Sequence, residues 1–490
     1  MSFKVKFERI KDLLFQNTNL KQTVLKNAFW LSVGNIGARI IKAILIIFAA
    51  RWLGANGYGV FSYTIGLAGF FTIFSDIGIS GIMTREASKA PELLPKYLST
   101  ALFIKIILVG LSAAAIIFIA PSFTKISEAL PLLPLAAFLL AFDGLRDFTF
   151  GIVRSKEKME LEAGINVFTN IAITILGLIA LLIKSDAKIL MTAYTIGSGL
   201  GLLFSLWLLR ENFRKIWQYF DKNLIKQIFL NAWPFALTGL LGAVLINTDI
   251  IMLGWLKDAK EVGYYSAAQR PVQLLYLIPA IIATSLFPSF AKWANKDNEK
   301  FKQVFEKAMK SVFLVAFPIF VGGFILASQI INLLFGAGFQ SSTPIFMILL
   351  PTIFLVFPGN LFGNAIFAYN RQKTFLISLS LGGIGNIIFN LILIPPFGGI
   401  GSAVATIFAQ ILANGFNWYT MKKINNFKAI GYLLKIIGGA VIMGLTVWTL
   451  KILGVPVIVN ILLGIIIYFL ALILFREPLI DTKIISKILK

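Results

Sequence analysis

The sequence contains no cysteine and no histidine, and only 14% of its 490 residues are charged. Without cysteine there is neither a disulfide framework nor a thiolate metal site. Without histidine the commonest proton shuttle and the commonest metal ligand are missing. Soluble domains carry about 25% charged residues, so this composition argues against a water-soluble fold. The sequence also lacks a nucleotide-binding loop, a metal-ligand cluster and a nucleophile–base pair, so we expect no cofactor, no metal and no enzymatic activity.

Long apolar runs fill most of the chain, and 58% of its residues are hydrophobic. A helix needs about 20 such residues to cross a bilayer, and the runs are too long for the strands of a barrel. We therefore predict an all-α polytopic protein of the inner, or plasma, membrane with about 14 transmembrane helices. Their predicted positions are 27–52, 60–81, 97–120, 129–152, 161–184, 188–210, 230–256, 263–290, 311–335, 342–369, 374–396, 400–421, 430–450 and 456–475.

The distribution of basic residues supports this topology. With the N-terminus in the cytoplasm, 32 of the 45 Lys and Arg residues fall in cytoplasmic connections and tails, and 7 fall in outer connections. The positive-inside rule predicts this asymmetry, and both termini are then cytoplasmic. The net charge of +23 would suggest nucleic acid in a soluble protein. Here the topology accounts for the charge, and we expect no nucleic-acid partner.

A faint internal repeat divides the chain into two lobes. The stretch Ala50-Arg51-Trp52-Leu53-Gly54…Tyr58-Gly59 joins the first two helices of one lobe, and Leu253-Gly254-Trp255-Leu256…Val262-Gly263-Tyr264-Tyr265 joins those of the other. We expect the first stretch to form a tight turn in which Gly and Asn supply positive-φ positions. Each lobe has six spans, so both lobes begin on the same side of the membrane and form two pseudo-symmetric halves, as in several secondary transporters.

The predicted organisation follows from this repeat. Its segments are a cytoplasmic or interfacial N-terminal segment (1–26), the N-lobe (27–210), an amphipathic interfacial linker (211–229), the C-lobe (230–423), two further helices (424–476) and a cytoplasmic tail (477–490). We expect the linker to be a helix on the membrane surface, because its apolar residues recur every three or four positions, at Phe213, Ile216, Trp217, Phe220, Leu224 and Ile228.

Six bases and four acids lie within the predicted spans. They are Arg39, Lys42, Lys105, Arg146, Arg270 and Lys435, and Asp76, Asp143, Asp147 and Asp249. A charge at membrane depth is costly and is usually kept for a function. A carrier of drug cations would need an excess of carboxylates. An excess of bases suits an anion carrier instead, and the planar fork of Arg binds phosphate through two hydrogen bonds.

The bases most suited to a phosphate site also have structural interpretations. Arg39 and Lys42 could form structural ion pairs or extend toward the interface. Arg270 lies at the same predicted depth as Asp249, so those two side chains could neutralise each other. These alternatives stay open at the level of the sequence.

The acids are equally ambiguous. Asp143, Arg146 and Asp147 share one helix face by their i,i+3 and i,i+4 spacing. They form either a self-neutralising cluster or a site for a coupling ion. Asp76 could pair with Arg85 at the inner rim.

Asparagines in the second half of the chain are candidate polar groups of a cavity. Asn360 and Asn364 lie in a span rich in proline, which frees backbone carbonyls and bends a helix. Asn386 and Asn390 precede a Pro-Pro-Phe-Gly turn and could also hydrogen-bond between helices.

Several motifs together resemble one transporter family. The pattern R-W-L-G-x-x-x-Y-G-x-F at 51–61, the following Asp76-Ile-Gly-Ile, and N-x4-P-x-F-G-x-x-G-x-A at 390–403 are similar to those of polysaccharide exporters. These are the Wzx-type flippases of the multidrug/oligosaccharidyl-lipid/polysaccharide (MOP) exporter superfamily, and the resemblance extends over about 27–423.

The resemblance implies a flippase for polyprenyl-diphosphate-linked oligosaccharide, an O-antigen or exopolysaccharide repeat unit. The headgroup would pass from the cytoplasmic to the outer leaflet by alternating access, with Arg39, Lys42 and Arg270 around the diphosphate. The implied partners are this lipid-linked sugar, membrane lipids, and polysaccharide polymerase or assembly proteins. Energy would come from H+, Na+ or the membrane potential. The alternatives are a lipid II (MurJ-type) flippase, a multidrug or cation antiporter of the same superfamily, and an anion channel.

Overall fold

The computed structural model describes residues 14–428 and 433–479, and every regular element in these ranges is helical. Twelve helices of the described chain are long and apolar enough to cross a membrane. The predicted class is therefore confirmed: the protein is an all-α, multi-pass membrane protein. The count of 14 spans and the orientation of the termini stay predictions. The predicted interfacial helix at the N-terminus and the C-terminal tail fall largely outside the described residues.

The sixteen helices used below are numbered in chain order. They are α1 Leu20–Phe71, α2 Ile79–Lys89, α3 Leu94–Phe118, α4 Leu133–Ser155, α5 Met159–Ile183, α6 Ala187–Leu208, α7 Asn223–Leu256, α8 Ala259–Leu275, α9 Leu277–Trp293, α10 Asn298–Ile325, α11 Ala327–Phe335, α12 Ser342–Leu349, α13 Ile353–Ala368, α14 Gln372–Asn425, α15 Leu434–Ile452 and α16 Val457–Leu474.

Two of these helices are each broken by a single glycine. α1 contains Gly54 with φ 67°, and α14 contains Gly398 with φ 55°. Each break falls where the sequence predicts a connection between two spans. The predicted turn at 53–59 is shorter than expected, because Gly54 is its one positive-φ residue and Asn56 and Gly57 are helical. One left-handed glycine suffices to redirect a helix, since it removes the Cβ clash that holds other residues to negative φ.

The described residues form two compact units, Met1–Gly263 and Tyr264–Lys490. This division lies after the linker that the repeat predicts as the lobe boundary, so the assignment of the lobes stays a prediction. The single amphipathic helix predicted for the linker is wrong. The segment has a helical turn at Arg210–Phe213 and a 3-10 turn at Ile216–Tyr219. They are separated by Lys215, whose φ of 58° ends any helix that reaches it.

The first unit is held together by small residues at helix crossings. α1 packs along α5, where Gly34 lies so close to Ala163 that a side chain at Gly34 would stand 2.7 Å from its Cα. α5 and α6 cross in the same way at Gly197, against the backbone of Ile173. Small residues let helices approach closely, which is how helices gain packing contacts within a membrane.

The two repeated turn motifs meet within the first unit. A Cβ placed on Gly59 would stand 1.6 Å from the carbonyl oxygen of Ala259, and one placed on Gly263 would stand 2.0 Å from that of Ala55. Each motif therefore presents its glycine to the backbone of the other. The reciprocal contact explains why Gly recurs at both positions of the sequence repeat.

The second unit has an aromatic core between α9, α10 and α13. Phe305 lies at its centre, with ring centroids 5.8 Å from Phe290 and 5.7 Å from Phe362. α15 and α16 pack on α10, where the hydroxyl of Tyr468 donates to the carbonyl oxygen of Leu314 at 2.7 Å. Aromatic side chains bury large apolar areas, so this core stabilises the packing of α13, which carries Asn360 and Asn364.

Candidate functional site

Arg39 and Lys42 lie deep along α1 and share one face of it. About 22 Å of helix separates Arg39 from Gly54, at about 1.5 Å per residue, so Arg39 lies well inside a hydrocarbon core of about 30 Å. Their i,i+3 spacing puts the two side chains on adjoining positions of the helix surface. Arg39 is exposed and Lys42 is partly exposed. An exposed cation at this depth faces water in preference to lipid.

The packing of α1 determines where this face points. Ala38 and Leu45 are buried, and the carbonyl oxygen of Ile41 accepts a hydrogen bond from Thr174 of α5 at 3.3 Å. Lys42 is rotated away from that contact toward α6, where its Nζ lies 5.1 Å from the ring centroid of Tyr194. This distance is within the range of a cation–π interaction.

Three charged side chains of α4 and one hydroxyl of α6 form a second group, here called the carboxylate cluster (Asp143, Arg146, Asp147 and Ser198). The guanidinium of Arg146 contacts Asp143 at 2.8 Å and Asp147 at 3.2 Å. Ser198 donates to Asp143 at 2.5 Å. The predicted shared face is therefore present. One Arg faces two carboxylates, so the cluster carries a net charge of −1 when both acids are ionised.

Exposure differs sharply across the carboxylate cluster. The side chain of Asp147 is 52% exposed, whereas that of Arg146 is 12% exposed. Asp147 lies about 21 Å along α4 from its start at Leu133, again at membrane depth. A carboxylate there faces a water-accessible surface, because exposure to lipid would be far more costly.

Asp76 pairs with Lys105, and the predicted pairing with Arg85 is wrong. Lys105 Nζ lies 2.8 Å from Asp76 Oδ2, and the backbone N–H of Ser80 donates to the same carboxylate at 3.2 Å. Arg85 contacts Glu86 instead, at 2.6 Å. The reason is the turn between α1 and α2, which directs Asp76 toward α3.

Lys105 also connects this ion pair with the carboxylate cluster. Its side chain is 1% exposed and passes the backbone of Gly144, where a Cβ would stand 3.8 Å from Lys105 Cε. Lys105 further exerts an attractive electrostatic interaction on Asp147. Lys105 and Arg146 are thus both neutralised by carboxylates, whereas neither Arg39 nor Lys42 has a carboxylate within ion-pair distance among the residues that the structure describes.

The remaining charged candidates belong to different parts of the chain. Asp249 is buried within α7 of the first unit, 1% exposed, and has an interaction partner. Arg270 lies in α8 in the second unit, where its Nη1 is 3.5 Å from Gln273 Oε1. Its buried Nε has no hydrogen-bond partner within the described part of the chain. The predicted pairing of Arg270 with Asp249 stays a prediction.

Lys435 lies at the start of α15, where its Nζ donates to the carbonyl oxygen of Arg476 at 3.1 Å.

The four asparagines differ in their surroundings. Asn360 and Asn364 are partly exposed, and their amides donate to carbonyl oxygens one turn earlier in α13, each at 2.9 Å. Asn386 and Asn390 are buried, at 2% and 0% exposure. Asn386 and Asn390 therefore lie where α14 packs against other helices, and not on an open surface. This position agrees with the alternative that they hydrogen-bond between helices.

Tyr194 and Ser198 are not among the residues that the charge pattern of the sequence indicates. Both lie on α6, four residues apart and hence on one face, and they contact Lys42 and Asp143 respectively. The segment Tyr194-Thr-Ile-Gly-Ser198 carries a usable signal, since polar groups at i and i+4 in an apolar span face a polar partner more often than lipid. Neither side chain is charged at pH 7, so a search restricted to charged residues does not find them.

The chain is similar to known proteins over most of its length. The flippase Agl15 of Haloferax volcanii, named as a probable low-salt glycan biosynthesis flippase, is 24% identical over 396 residues, covering 78% of this chain and 80% of that protein. The capsular polysaccharide biosynthesis protein CapF of Staphylococcus aureus is 22% identical over 413 residues, covering 82% of this chain and 100% of CapF. The solved structure of the lipid II flippase MurJ, in an inward closed conformation, is similar in fold, with a TM-score of 0.74 and 20% identity over 91% of this chain and 99% of MurJ.

The family model for polysaccharide biosynthesis proteins matches residues 24–294. This range holds the first turn motif, Asp76, the carboxylate cluster and the second turn motif. It therefore includes two of the three motifs on which the sequence resemblance rests, whereas the third, at 390–403, lies outside it. The resemblance to this family is confirmed. The chain belongs to the polysaccharide biosynthesis protein family.

Proposed function

We propose that the protein is a flippase that moves polyprenyl-diphosphate-linked oligosaccharide from the cytoplasmic to the outer leaflet by alternating access. Membership of the polysaccharide biosynthesis family, the flippase Agl15 among its relatives and the MurJ-like fold support this function. The protein is a transporter and not an enzyme, and it acts in the plasma membrane on a lipid-linked substrate. Polysaccharide polymerase and assembly proteins are its proposed partners, since they would use the translocated repeat unit.

The observation that carries the proposal is the state of the deep cations in the first unit. Lys105 and Arg146 are held by carboxylates at 2.8 Å each. Within residues 14–428 and 433–479, Arg39 and Lys42 have no such partner. A cation that is kept at membrane depth without a counter-ion is an energetic cost unless a substrate supplies the negative charge. A diphosphate supplies at least two such charges next to the lipid tail.

The chemistry of the two residues suits a diphosphate. The guanidinium of Arg39 can donate two parallel hydrogen bonds to phosphate oxygens. The ammonium of Lys42 is a compact charge with three donors. Arg270 is the third proposed contact of the diphosphate, because its buried Nε has no hydrogen-bond partner among the residues that the structure describes.

We assign the coupling role to the carboxylate cluster. One Arg faces two acids, so binding of one H+ or Na+ brings the cluster to neutrality. Asp147 is the proposed binding position, because its side chain is 52% exposed and an ion can reach it from water. The alternative source of energy is the membrane potential, which would act on the charge of the substrate itself.

The test is transport in proteoliposomes with three substrates: a polyprenyl-diphosphate oligosaccharide, lipid II and a fluorescent organic cation. We expect flipping of the first by the native protein, and an increase in KM of about 10- to 100-fold for Arg39→Ala, from the loss of about 1.5–3 kcal/mol of charge-assisted hydrogen bonding. The matched control is Lys184→Ala, which removes the same charge from an exposed position at the end of α5 and should leave KM unchanged.

Each other result contradicts a defined part of the proposal. Transport of lipid II in preference to the oligosaccharide would make the protein a MurJ-type flippase. Export of the cation without flipping would make it an antiporter. Flipping that is unchanged in Arg39→Ala would remove that residue from the diphosphate site. Flipping by Asp147→Asn that keeps its full response to H+ and Na+ gradients would remove the coupling role from the carboxylate cluster.

A further inference from the structure

Tyr194 contacts Lys42 and lies on α6 one helical turn from Ser198, a member of the carboxylate cluster. It is 4% exposed, and one face of its ring receives the ammonium of Lys42 at 5.1 Å. Its edge packs against Phe61, with centroids 5.8 Å apart and an interplanar angle of 70°. Phe61 belongs to the second half of α1, so two parts of one helix enclose the ring. These contacts fix the orientation of the ring, and the ammonium of Lys42 therefore contacts one defined ring face.

Tyr194 also lies one turn of α6 before Ser198, whose hydroxyl donates to Asp143 of the carboxylate cluster. Arg146 is the base of the carboxylate cluster, in which two acids share one guanidinium. That cluster attracts a further cation, and Lys42 is the nearby cation that lacks a carboxylate partner in the described chain. A lysine ammonium on four methylenes is mobile. Among the contacts of the described residues, the ring of Tyr194 is what holds the Lys42 ammonium, so without the ring this ammonium could turn toward Asp143 or Asp147.

We propose that Tyr194 is a positioning residue for the substrate's diphosphate: the face of its ring holds the Lys42 ammonium available to the substrate and keeps it off the carboxylate cluster. The inference rests on the proposed function. A π face suits this task better than a carboxylate, because it stabilises the cation without cancelling its charge. The ammonium of Lys42 has three N–H donors, and the ring lies on only one side of it. Donors that point away from the ring therefore remain for phosphate oxygens.

Two substitutions of Tyr194 distinguish the contribution of its ring from that of its hydroxyl. Phenylalanine keeps the π face, and leucine removes it while staying apolar. We expect Tyr194→Phe to flip polyprenyl-diphosphate oligosaccharide with a KM within about twofold of native. Tyr194→Leu should raise KM by about 3- to 30-fold, the range of a partly desolvated cation–π contact, with kcat unchanged.

A double-mutant cycle tests whether the effect passes through Lys42. Lys42→Met removes the ammonium and keeps the length of the side chain. In the Lys42→Met background we expect Tyr194→Leu to have no further effect on KM, because no cation remains to be positioned. Binding of polyprenyl diphosphate to the purified protein in lipid nanodiscs should give the same pattern in Kd.

Three outcomes would overturn the inference. An equal rise in KM for Tyr194→Leu with and without Lys42 would mean that the ring acts independently of Lys42. A fall in kcat and melting temperature without a change in KM would make Tyr194 a packing residue only. A defect of Tyr194→Phe equal to that of Tyr194→Leu would transfer the role to the hydroxyl. Failure of the native protein to flip the substrate would instead refute the proposed function, so the two failures are distinguishable.

Discussion

The buried ion pair between Asp76 and Lys105 gives the sharpest prediction about stability. Lys105 is 1% exposed and Asp76 is 26% exposed, and their charged atoms are 2.8 Å apart. The substitution Asp76→Asn removes the charge and leaves the size of the side chain almost unchanged. Lys105 then remains buried beside Gly144 with one close carboxylate lost. Removing one partner of a buried pair costs about 3–5 kcal/mol.

We expect Asp76→Asn to lower the free energy of unfolding by about 3 kcal/mol, the lower end of that range. Two features reduce the effect. Water reaches a quarter of Asp76, and the attraction between Asp147 and Lys105 persists. The double substitution Asp76→Asn with Lys105→Met should recover most of the loss, to within about 1 kcal/mol of native, because a buried pair and an apolar replacement are often close in energy.

The assay is equilibrium unfolding in detergent with increasing dodecyl sulfate, monitored by the fluorescence of the nine tryptophans. The control is Glu86→Gln, which breaks the pair with Arg85, whose side chain is 43% exposed. An exposed pair contributes about 0–1 kcal/mol. The reasoning would be refuted if Asp76→Asn cost no more than Glu86→Gln, or if adding Lys105→Met made the protein less stable still.

The remaining predictions concern packing and topology. Gly59→Ala should destabilise the protein by about 3 kcal/mol, because a Cβ at Gly59 would stand 1.6 Å from the carbonyl oxygen of Ala259. The control is Gly110→Ala, whose Cβ would meet no described atom within 4 Å. It should be neutral or stabilising in the same unfolding assay. Lys188→Cys should react with a membrane-impermeant maleimide in intact cells, and Lys158→Cys only after permeabilisation. The native chain has no cysteine, so each label reports one site, and the reverse pattern would invert the topology.

Hydropathy and glycine position predict most of the fold, because both effects are local. An apolar run of about 20 residues has few alternatives to a membrane helix, and Gly54 is the residue that tolerates φ 67° at the first connection. The linker shows where this reasoning ends. Its apolar period is helical, yet Lys215 adopts φ 58°, a left-handed conformation that no period of hydrophobicity encodes.

The candidate site is less predictable, because it depends on contacts between distant segments. Spacing within one helix correctly brings Asp143, Arg146 and Asp147 together. It cannot find the partner of Asp76, since Lys105 lies on another helix and the turn after Phe71 decides which way Asp76 points. A count of charged residues also omits the ring of Tyr194, although the face of an aromatic ring stabilises a cation.

Ion pairing, more than the number of charges, distinguishes the bases of the first unit from one another. Counted over the chain, bases exceed acids within the predicted spans. Within the first unit they are equal in number, so the count alone favours neither an anion nor a cation. The bases differ in their partners. Lys105 and Arg146 are bound to carboxylates, whereas Arg39 and Lys42 have no carboxylate partner among the described residues. The carboxylate cluster keeps one net negative charge, which its proposed coupling ion would neutralise, whereas Arg39 and Lys42 keep two positive charges. The proposed anionic headgroup on α1 is therefore supported by the arrangement of charges, and the net charge of +23 contributes nothing to that proposal.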